Sequence, residues 1–257
     1  MSSWLPCPSA DRHRFDAARV RAQWAALHAV DAEPLPEDPA LLDAWALFHS
    51  GHFEQATEAG LAAGIDGLPV ANRATAAHAA LVEPHEKARI ELFKRVHERA
   101  CTHAAARPGH ANAWYWQGYA LARYAEGIHV ARALAQGLGV QVRQALEATL
   151  VLAPHHAYAH VALGTFQAAI IDKVGHLVGA MTYGARADTA LAHLHQALRL
   201  APESPAVLHE CAGALVLLEG EARLDEATRL QEQAAAAAPR DAVEHLWVEL
   251  ARTSLAL

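Results

Sequence analysis

Residues 108–121 read Pro-Gly-His-Ala-Asn-Ala-Trp-Tyr-Trp-Gln-Gly-Tyr-Ala-Leu, and related stretches begin at Pro154 and Pro202. In each stretch the proline ends one helix and a new helical pattern follows it. Each stretch also has a small residue ten positions after its proline, where a partner helix can approach closely. These small residues are Gly118, Gly164 and Ala212. The recurrence predicts repeated pairs of helices.

The second helices of two units also match each other. Residues 189–202 read TALAHLHQALRLAP and residues 226–239 read EATRLQEQAAAAAP, so alanines fall twelve and five residues before each closing proline. Residues 142–154 are a weaker copy of the same pattern. Alanine is the best helix former, and no segment keeps the polar–apolar alternation of a strand for long. The chain is therefore predicted to be all-α.

These marks resemble the tetratricopeptide-repeat family, whose unit of about 34 residues follows the pattern W-x-x-L-G, then A, F, A and a closing P. The pattern positions are occupied by Trp114, Gly118, Ala190, Ala197 and Pro202. The resemblance covers residues 40–60 and 108–240. It implies an α-solenoid of antiparallel helix pairs. It says little about function, because the family binds peptides, lipids and partner proteins of many kinds.

Residues 114–139 and 159–184 also resemble an uncharacterised proteobacterial group of tetratricopeptide proteins. More distantly, their long repeats resemble the T component associated with TRAP transporters and the regulator-of-microtubule-dynamics family. These resemblances imply a scaffold with inserted turns, and they carry over no catalytic residue. The transporter-associated members are exported lipoproteins. This chain shows no lipoprotein signal, which weakens any role in transport.

The sequence predicts a single domain, 1–257, with about twelve helices. Its parts are an N-terminal helix and Pro-rich connector (1–39), degenerate repeats (40–107), three recognisable repeats (108–240) and a C-terminal capping helix (241–257). The first helix is predicted over residues 10–30, and the acidic connector over residues 31–39 cannot be helical throughout. Asp241 and Glu244 have the spacing of a capping box, which predicts the start of the last helix.

The spacing of the repeat prolines locates two long inserts. The prolines that mark the repeats, Pro108, Pro154, Pro202 and Pro239, are 46, 48 and 37 residues apart, against a repeat of about 34. Because the helices on both sides keep their marks, the first two surpluses must lie between paired helices, near residues 125–139 and 171–187. Their apolar side chains either fold back to close the groove or form an exposed patch for a partner, another subunit or a membrane surface.

Aromatic and polar side chains on one predicted helix indicate a binding groove. Tyr115 and Tyr119 are one helical turn apart, and with Asn112 and Arg123 they are predicted to line the concave surface of the solenoid. Plain packing between helices is the alternative for the aromatic side chains. The inserts supply a second candidate set, which consists of His129, Asp172, Lys173, His176 and Tyr183.

Charge and composition argue against several classes of protein. The formal net charge of −7 provides no overall basic face for nucleic acid. Three widely separated cysteines without a CxxC pair predict reduced thiols and a cytoplasmic location. Neither a secretory signal nor an apolar run of about 20 residues is found, so no membrane span is predicted.

The sequence contains no recognised catalytic motif. It lacks the HExxH zinc signature, the nucleophile elbow and the phosphate-binding glycine motifs, and no cofactor is predicted. His156 and His160 have the i, i+4 spacing that can direct two imidazoles at one ion. Solvated or helix-end histidines are the alternative for this pair.

The sequence favours a non-enzymatic binding module that holds a peptide or a partner protein in its groove. An alternative is a carrier of a small apolar or anionic ligand in a cavity closed by the inserts, or an enzyme built on the same scaffold. A third hypothesis is a homo-oligomer that associates through the apolar inserts.

Overall fold

The computed structural model describes residues 4–10, 12–128, 133 and 136–256, and this part of the chain is helical and contains no β-strand. Its α-helices are α1 (Ala17–Leu27), α2 (Pro39–His49), α3 (Phe53–Ala62), α4 (Leu68–Leu81), α5 (Glu86–Ala106), α6 (Ala111–Glu126), α7 (Leu138–Leu152), α8 (Ala157–Tyr183), α9 (Ala187–Leu200), α10 (Pro205–Glu219), α11 (Leu224–Ala236) and α12 (Ala242–Leu255). The prediction of an all-α protein is confirmed.

Side-chain caps determine where several helices begin. Asp16, Ser204 and Asp241 each accept a hydrogen bond from a backbone N–H in the first turn of the following helix. These bonds satisfy donors that have no partner within the helix. Asp241 therefore caps the start of the last helix, as predicted. The first helix is shorter than the predicted span of 10–30, because the backbone is extended at its Asp16 cap.

The helices form an inner and an outer layer. Short connections make successive helices antiparallel neighbours, and each helix packs against the next. The even-numbered helices from α2 to α12 also contact one another in sequence and form the inner layer. The odd-numbered helices from α3 to α11 pack on the outside of these inner helices. Three clusters of buried apolar side chains fill the space between the layers.

The inner layer closes on itself at the two ends of the chain. Helix α12 packs against α10 and α11, and it also contacts α2 and α4. At this seam His49 Nδ1 lies 2.7 Å from a carboxylate oxygen of Asp241, and both side chains are buried. The Ser9 hydroxyl donates to the carbonyl oxygen of Ala242 at 2.8 Å. The last helix therefore does more than cap the final helix pair, because it joins the array into a ring.

Two glycines of the repeat pattern lie where an inner and an outer helix cross closely. A Cβ added at Gly118 would lie 2.8 Å from Leu146 Cγ, and one added at Gly164 would lie 2.6 Å from Leu194 Cδ2. Leu146 and Leu194 are themselves fully buried. The prediction that small residues permit close helix approach at these two positions is confirmed.

The second of the two inserts continues an inner helix beyond a kink. Helix α8 breaks at Gly175, where φ is 79° and ψ is 164°, and then continues as a short helix to Tyr183. Glycine adopts this positive φ without the steric penalty of a side chain. The surplus predicted near residues 171–187 is therefore a kinked helical extension. Most of the first insert, residues 129–135 apart from Ala133, lies outside the described residues.

One described helix, α8, is long and apolar enough by length and composition to cross a membrane, and 39% of its most apolar window is buried. Its first part contributes Leu163 and Ala168 to the protein core. Its second part is separated by the break at Gly175. These features agree with the prediction that the chain has no membrane span.

Gly164→Ala should destabilise the protein, whereas Gly213→Ala should stabilise it. Both glycines lie inside helices, but a Cβ at Gly164 meets Leu194 and the carbonyl oxygen of Ala190, while Gly213 has open space around it. Replacing a helical glycine by alanine gains about 1 kcal/mol, and overpacking costs about 1–3 kcal/mol. Urea unfolding followed by circular dichroism measures both changes. Equal effects would contradict the close crossing of α8 and α9.

Asp241→Asn should loosen the closing seam while preserving the start of α12, because asparagine also caps helices. The substitution replaces the buried carboxylate beside His49 by a neutral amide, and losing a hydrogen bond to a charged group costs about 1.5–3 kcal/mol. Hydrogen–deuterium exchange should show faster exchange of backbone amides in both α2 and α12. Asp225→Asn, at an exposed position in α11, is the control. Unchanged protection of α2 would show that the ring closes without this pair.

Candidate binding site

A pit with a volume of about 80 Å³ lies at the centre of the ring. Its wall is mostly apolar and aromatic, and each inner helix contributes to it. The contributions include Phe48 from α2, Ala76 from α4, Tyr115 and Tyr119 from α6, Tyr158 from α8, Ala206 from α10 and Trp247 from α12. Because the first and last of these helices meet only at the closing seam, the pit depends on the closed ring.

The connector between α1 and α2 lies beneath the pit and fills the ring at that end. The carbonyl oxygen of Val30 accepts a hydrogen bond from the backbone N–H of Tyr158 at 3.3 Å. The carbonyl oxygen of Asp31 accepts one from the side chain of Asn112 at 2.9 Å. The side chains of Asp31 and Glu33 are buried. The connector therefore blocks the pit from below.

The guanidinium group of Arg73 forms part of the floor. It makes a buried ion pair with Asp31, and Nη1 lies 3.2 Å from His28 Nδ1. It also lies over the ring of Phe48, 5.2 Å from the ring centroid. An isolated buried charge is strongly unfavourable, and Asp31 compensates the charge of Arg73. The pair therefore adds no net charge to the floor.

The opposite end of the pit is its open mouth, where Tyr119 and Glu210 are partly exposed. An ion pair spans this mouth from α6 to α10, with 3.5 Å between Arg123 Nη2 and Glu210 Oε1. The guanidinium carbon of Arg123 also lies 5.7 Å from the ring centroid of Tyr119. The neighbouring Tyr119 and Glu210 raise the pKa of Arg123, whereas burial acts in the opposite direction. The mouth thus carries a fixed cation beside a carboxylate.

Three of the four residues predicted to line the groove lie at the pit. Tyr115 and Tyr119 line its wall, with their rings stacked and the centroids 5.6 Å apart. Arg123 stands at the mouth. The i, i+4 spacing in the sequence therefore identified two residues that share one inward-facing helix surface.

Asn112 does not line the groove, because it is buried below the floor. Its Nδ2 donates to Glu33 Oε2 at 2.7 Å, and its Oδ1 lies 2.8 Å from His156 Nε2. These partners occupy the amide group on both sides. Asn112 therefore holds the connector against α6 and α8, and its predicted role in ligand binding is corrected to a structural one.

The histidine pair considered for metal binding does not converge on one point. His156 caps α8, with Nδ1 accepting a hydrogen bond from the backbone N–H of Ala159 at 3.0 Å, while Nε2 faces Asn112. His160 Nδ1 lies instead 2.9 Å from His193 Nδ1. Since both nitrogens of His156 are engaged, the pair is corrected to a cap and a separate histidine contact. No group of three or more potential ligands occurs among the described residues.

The described candidate residues of the inserts lie away from the central pit. Lys173 and Tyr183 line a separate apolar cleft of about 90 Å³ between α6, α7 and α8. Asp172 and His176 are exposed. His129 lies outside the described residues. The described part of the inserts therefore does not close the central pit.

Several residues of the pit have no counterpart in the sequence-based prediction. They are Phe48, Arg73, Tyr158, Glu210 and Trp247. Each belongs to a different inner helix, so no local spacing links them. Arg73 is the one of these residues that the local sequence could have indicated. It lies in the alanine-rich stretch LPVANRATAAHAAL, and a charged side chain among apolar neighbours needs a buried partner.

Two buried histidine–aspartate pairs lie near the pit without reaching its wall. His28 Nδ1 is 3.1 Å from Asp31, and His49 Nδ1 is 2.7 Å from Asp241. The first pair helps to hold the connector in place, and the second joins α2 to the start of α12 at the closing seam. Their chemistry resembles that of an acid–base pair, but their burial separates them from any molecule in the pit.

Comparison of this chain with protein-family models and with curated proteins finds no match. The class of protein is therefore defined by the molecule itself, as an all-helical protein with an aromatic pit at the centre of its inner helices.

The protein should become less stable as the pH falls, in part because of His156. Burial lowers the pKa of His156 to about 3 from its ordinary value of 6.5. Between these values the unfolded chain binds a proton that the folded protein does not. The free energy of unfolding therefore decreases by up to about 1.4 kcal/mol for each pH unit below about pH 6.5.

His156→Asn tests this dependence, because asparagine retains a capping side chain and does not titrate. Its unfolding free energy, from urea titrations between about pH 6.5 and pH 4, should decline less steeply than that of the wild type. His155→Asn, at the exposed neighbouring position, is the control for loss of an imidazole. Identical slopes for the wild type and His156→Asn would contradict the assigned role of this histidine.

Proposed function

We propose that this chain is a tetratricopeptide-like α-solenoid, closed into a ring, that works as a non-enzymatic binding module. Its central pit receives one apolar side chain from a peptide or protein partner. The observation that carries this proposal is the convergence of the inner helices on a pit with aromatic walls, a sealed floor and a charged mouth.

The size of the pit supports a single side chain as its occupant. Small-molecule sites usually have volumes of about 300–1,000 Å³, and a cavity of about 150 Å³ holds benzene. At about 80 Å³, the pit is smaller than both and suits one aliphatic side chain. A carrier of a larger ligand is less well supported by this volume.

The wall and the mouth together have the chemistry of a peptide anchor site. Tyr115, Trp116 and Trp247 offer large apolar contact areas on rigid rings. Arg123 supplies hydrogen-bond donors and Glu210 supplies acceptors, so the mouth can bind the backbone carbonyl and N–H groups that flank an inserted side chain. A buried anchor with a polar rim is the arrangement in which few residues carry most of the binding energy.

The proposed setting is the cytoplasm, with a peptide or protein as the partner. The three cysteines are free thiols, which supports a reducing compartment. The net charge of −7 supports a partner other than nucleic acid.

Selection from a display library of random linear peptides tests the proposal. The wild-type protein should select peptides that share an apolar residue, and replacing that residue by alanine should weaken binding at least about tenfold. Ala162→Leu places extra carbon atoms in the pit and should weaken the same peptides to a similar degree. Ala236→Leu, at an exposed position on the outer helix α11, should bind like the wild type.

Circular dichroism and thermal unfolding establish that both leucine variants are folded before binding is compared. Failure to select any peptide above background would overturn the proposal. Selected peptides that bind Ala162→Leu as tightly as the wild type would also overturn it, because binding would then occur outside the pit.

A further inference from the structure

The short helix at the end of the second insert has an apolar face in contact with solvent. Leu177 is 73% exposed, Val178 is 50% exposed and Met181 is 80% exposed. These three residues, which we call the insert ridge, lie on one side of the helix, since Leu177 and Met181 are one turn apart. The other side is attached to the protein, because Gly179 packs against Ile170. A grouped apolar surface of this kind marks an interaction site.

An apolar cleft adjoins the ridge. Val174 and Tyr183, which bracket the ridge in the sequence, line this cleft together with Leu138, Phe166 and Ala169. We call these five residues the insert cleft. Its volume of about 90 Å³ is comparable to that of one aliphatic side chain. A projecting apolar ridge and an unfilled apolar cleft therefore lie side by side on one structural element.

Charges of both signs stand at the cleft. Lys173 lines it and Asp172 is exposed next to Lys173, while Glu126, which also lines the cleft, is paired with Arg123 of the same chain. A two-fold axis places a surface against its own copy, so a surface with an acid and a base beside apolar groups can pair its charges with themselves. An anionic lipid surface fits less well, because the chain has a net charge of −7.

We propose that the insert ridge and the insert cleft form an interface between two copies of this chain. Under two-fold symmetry the ridge of each copy packs into the cleft of the other, so each dimer contains two identical junctions. Because the junctions are small, the dimer is a reversible one that depends on protein concentration. The insert cleft and the central pit share no lining residue, although Glu126 of the cleft is paired with Arg123 at the mouth of the pit.

Sedimentation equilibrium of the full chain, from about 1 μM to about 1 mM, tests the interface. The average mass of the wild type should rise from one chain toward two. Met181→Glu places a charge on the ridge and should keep the mass at one chain. Ala169→Leu fills the cleft and should raise the dissociation constant at least about tenfold. Val151→Glu, at an apolar position that is 82% exposed at the end of α7, is the matched control and should associate like the wild type.

A wild-type mass of one chain throughout the series would overturn the proposal. Association of Met181→Glu or Ala169→Leu at wild-type strength would also overturn it, since the ridge and the cleft would then lie outside the contact. An anionic lipid surface is the other candidate occupant of the insert ridge, and flotation with vesicles of phosphatidylcholine and phosphatidylglycerol tests it. Vesicle binding by a monomeric wild type that is lost in Met181→Glu would assign the ridge to a lipid surface instead.

Discussion

The buried ion pair between Arg73 and Asp31 is the interaction on which the interior of the ring depends. Arg73 belongs to the inner helix α4 and Asp31 to the connector beneath the pit, so neither side chain can leave without stranding the charge of the other. Breaking such a pair costs about 3–5 kcal/mol, a large part of a typical stability of about 5–15 kcal/mol. The same connector accepts hydrogen bonds from α6 and α8. It therefore positions three inner helices around one floor.

Closure of the ring converts a series of local contacts into a shared cavity. In an open row of helix pairs, each pair contacts only its neighbours along the chain. Here α12 returns to α2 and α4, and the pair His49–Asp241 joins the two ends. Phe48 and Trp247 can then line the same pit although they come from the first and last inner helices. A partial array would have some of the wall residues but no enclosed pit.

The described part of the second insert occupies a different part of the molecule from the pit, and the cleft beside it shares no lining residue with the pit. The second insert connects the inner helix α8 to its outer partner α9, and none of its residues line the pit. The second insert bends at Gly175 and presents Leu177 and Met181 to solvent. The proposed binding of an apolar anchor and the proposed association of two copies therefore use different lining residues.

Periodicity, prolines and caps are local properties, and they were enough to predict the all-α class, the start of the last helix at Asp241 and the close crossings at Gly118 and Gly164. They also identified Tyr115 and Tyr119, because residues one turn apart share a helix face whatever surrounds that face. Asn112 lies three residues before Tyr115 on the same helix, yet a connector some eighty positions earlier buries it. The partner of Arg73, the sealed floor and the meeting of α12 with α2 were decided only in the tertiary structure. Each depends on contacts between residues far apart in the chain, and a local sequence pattern does not predict such contacts.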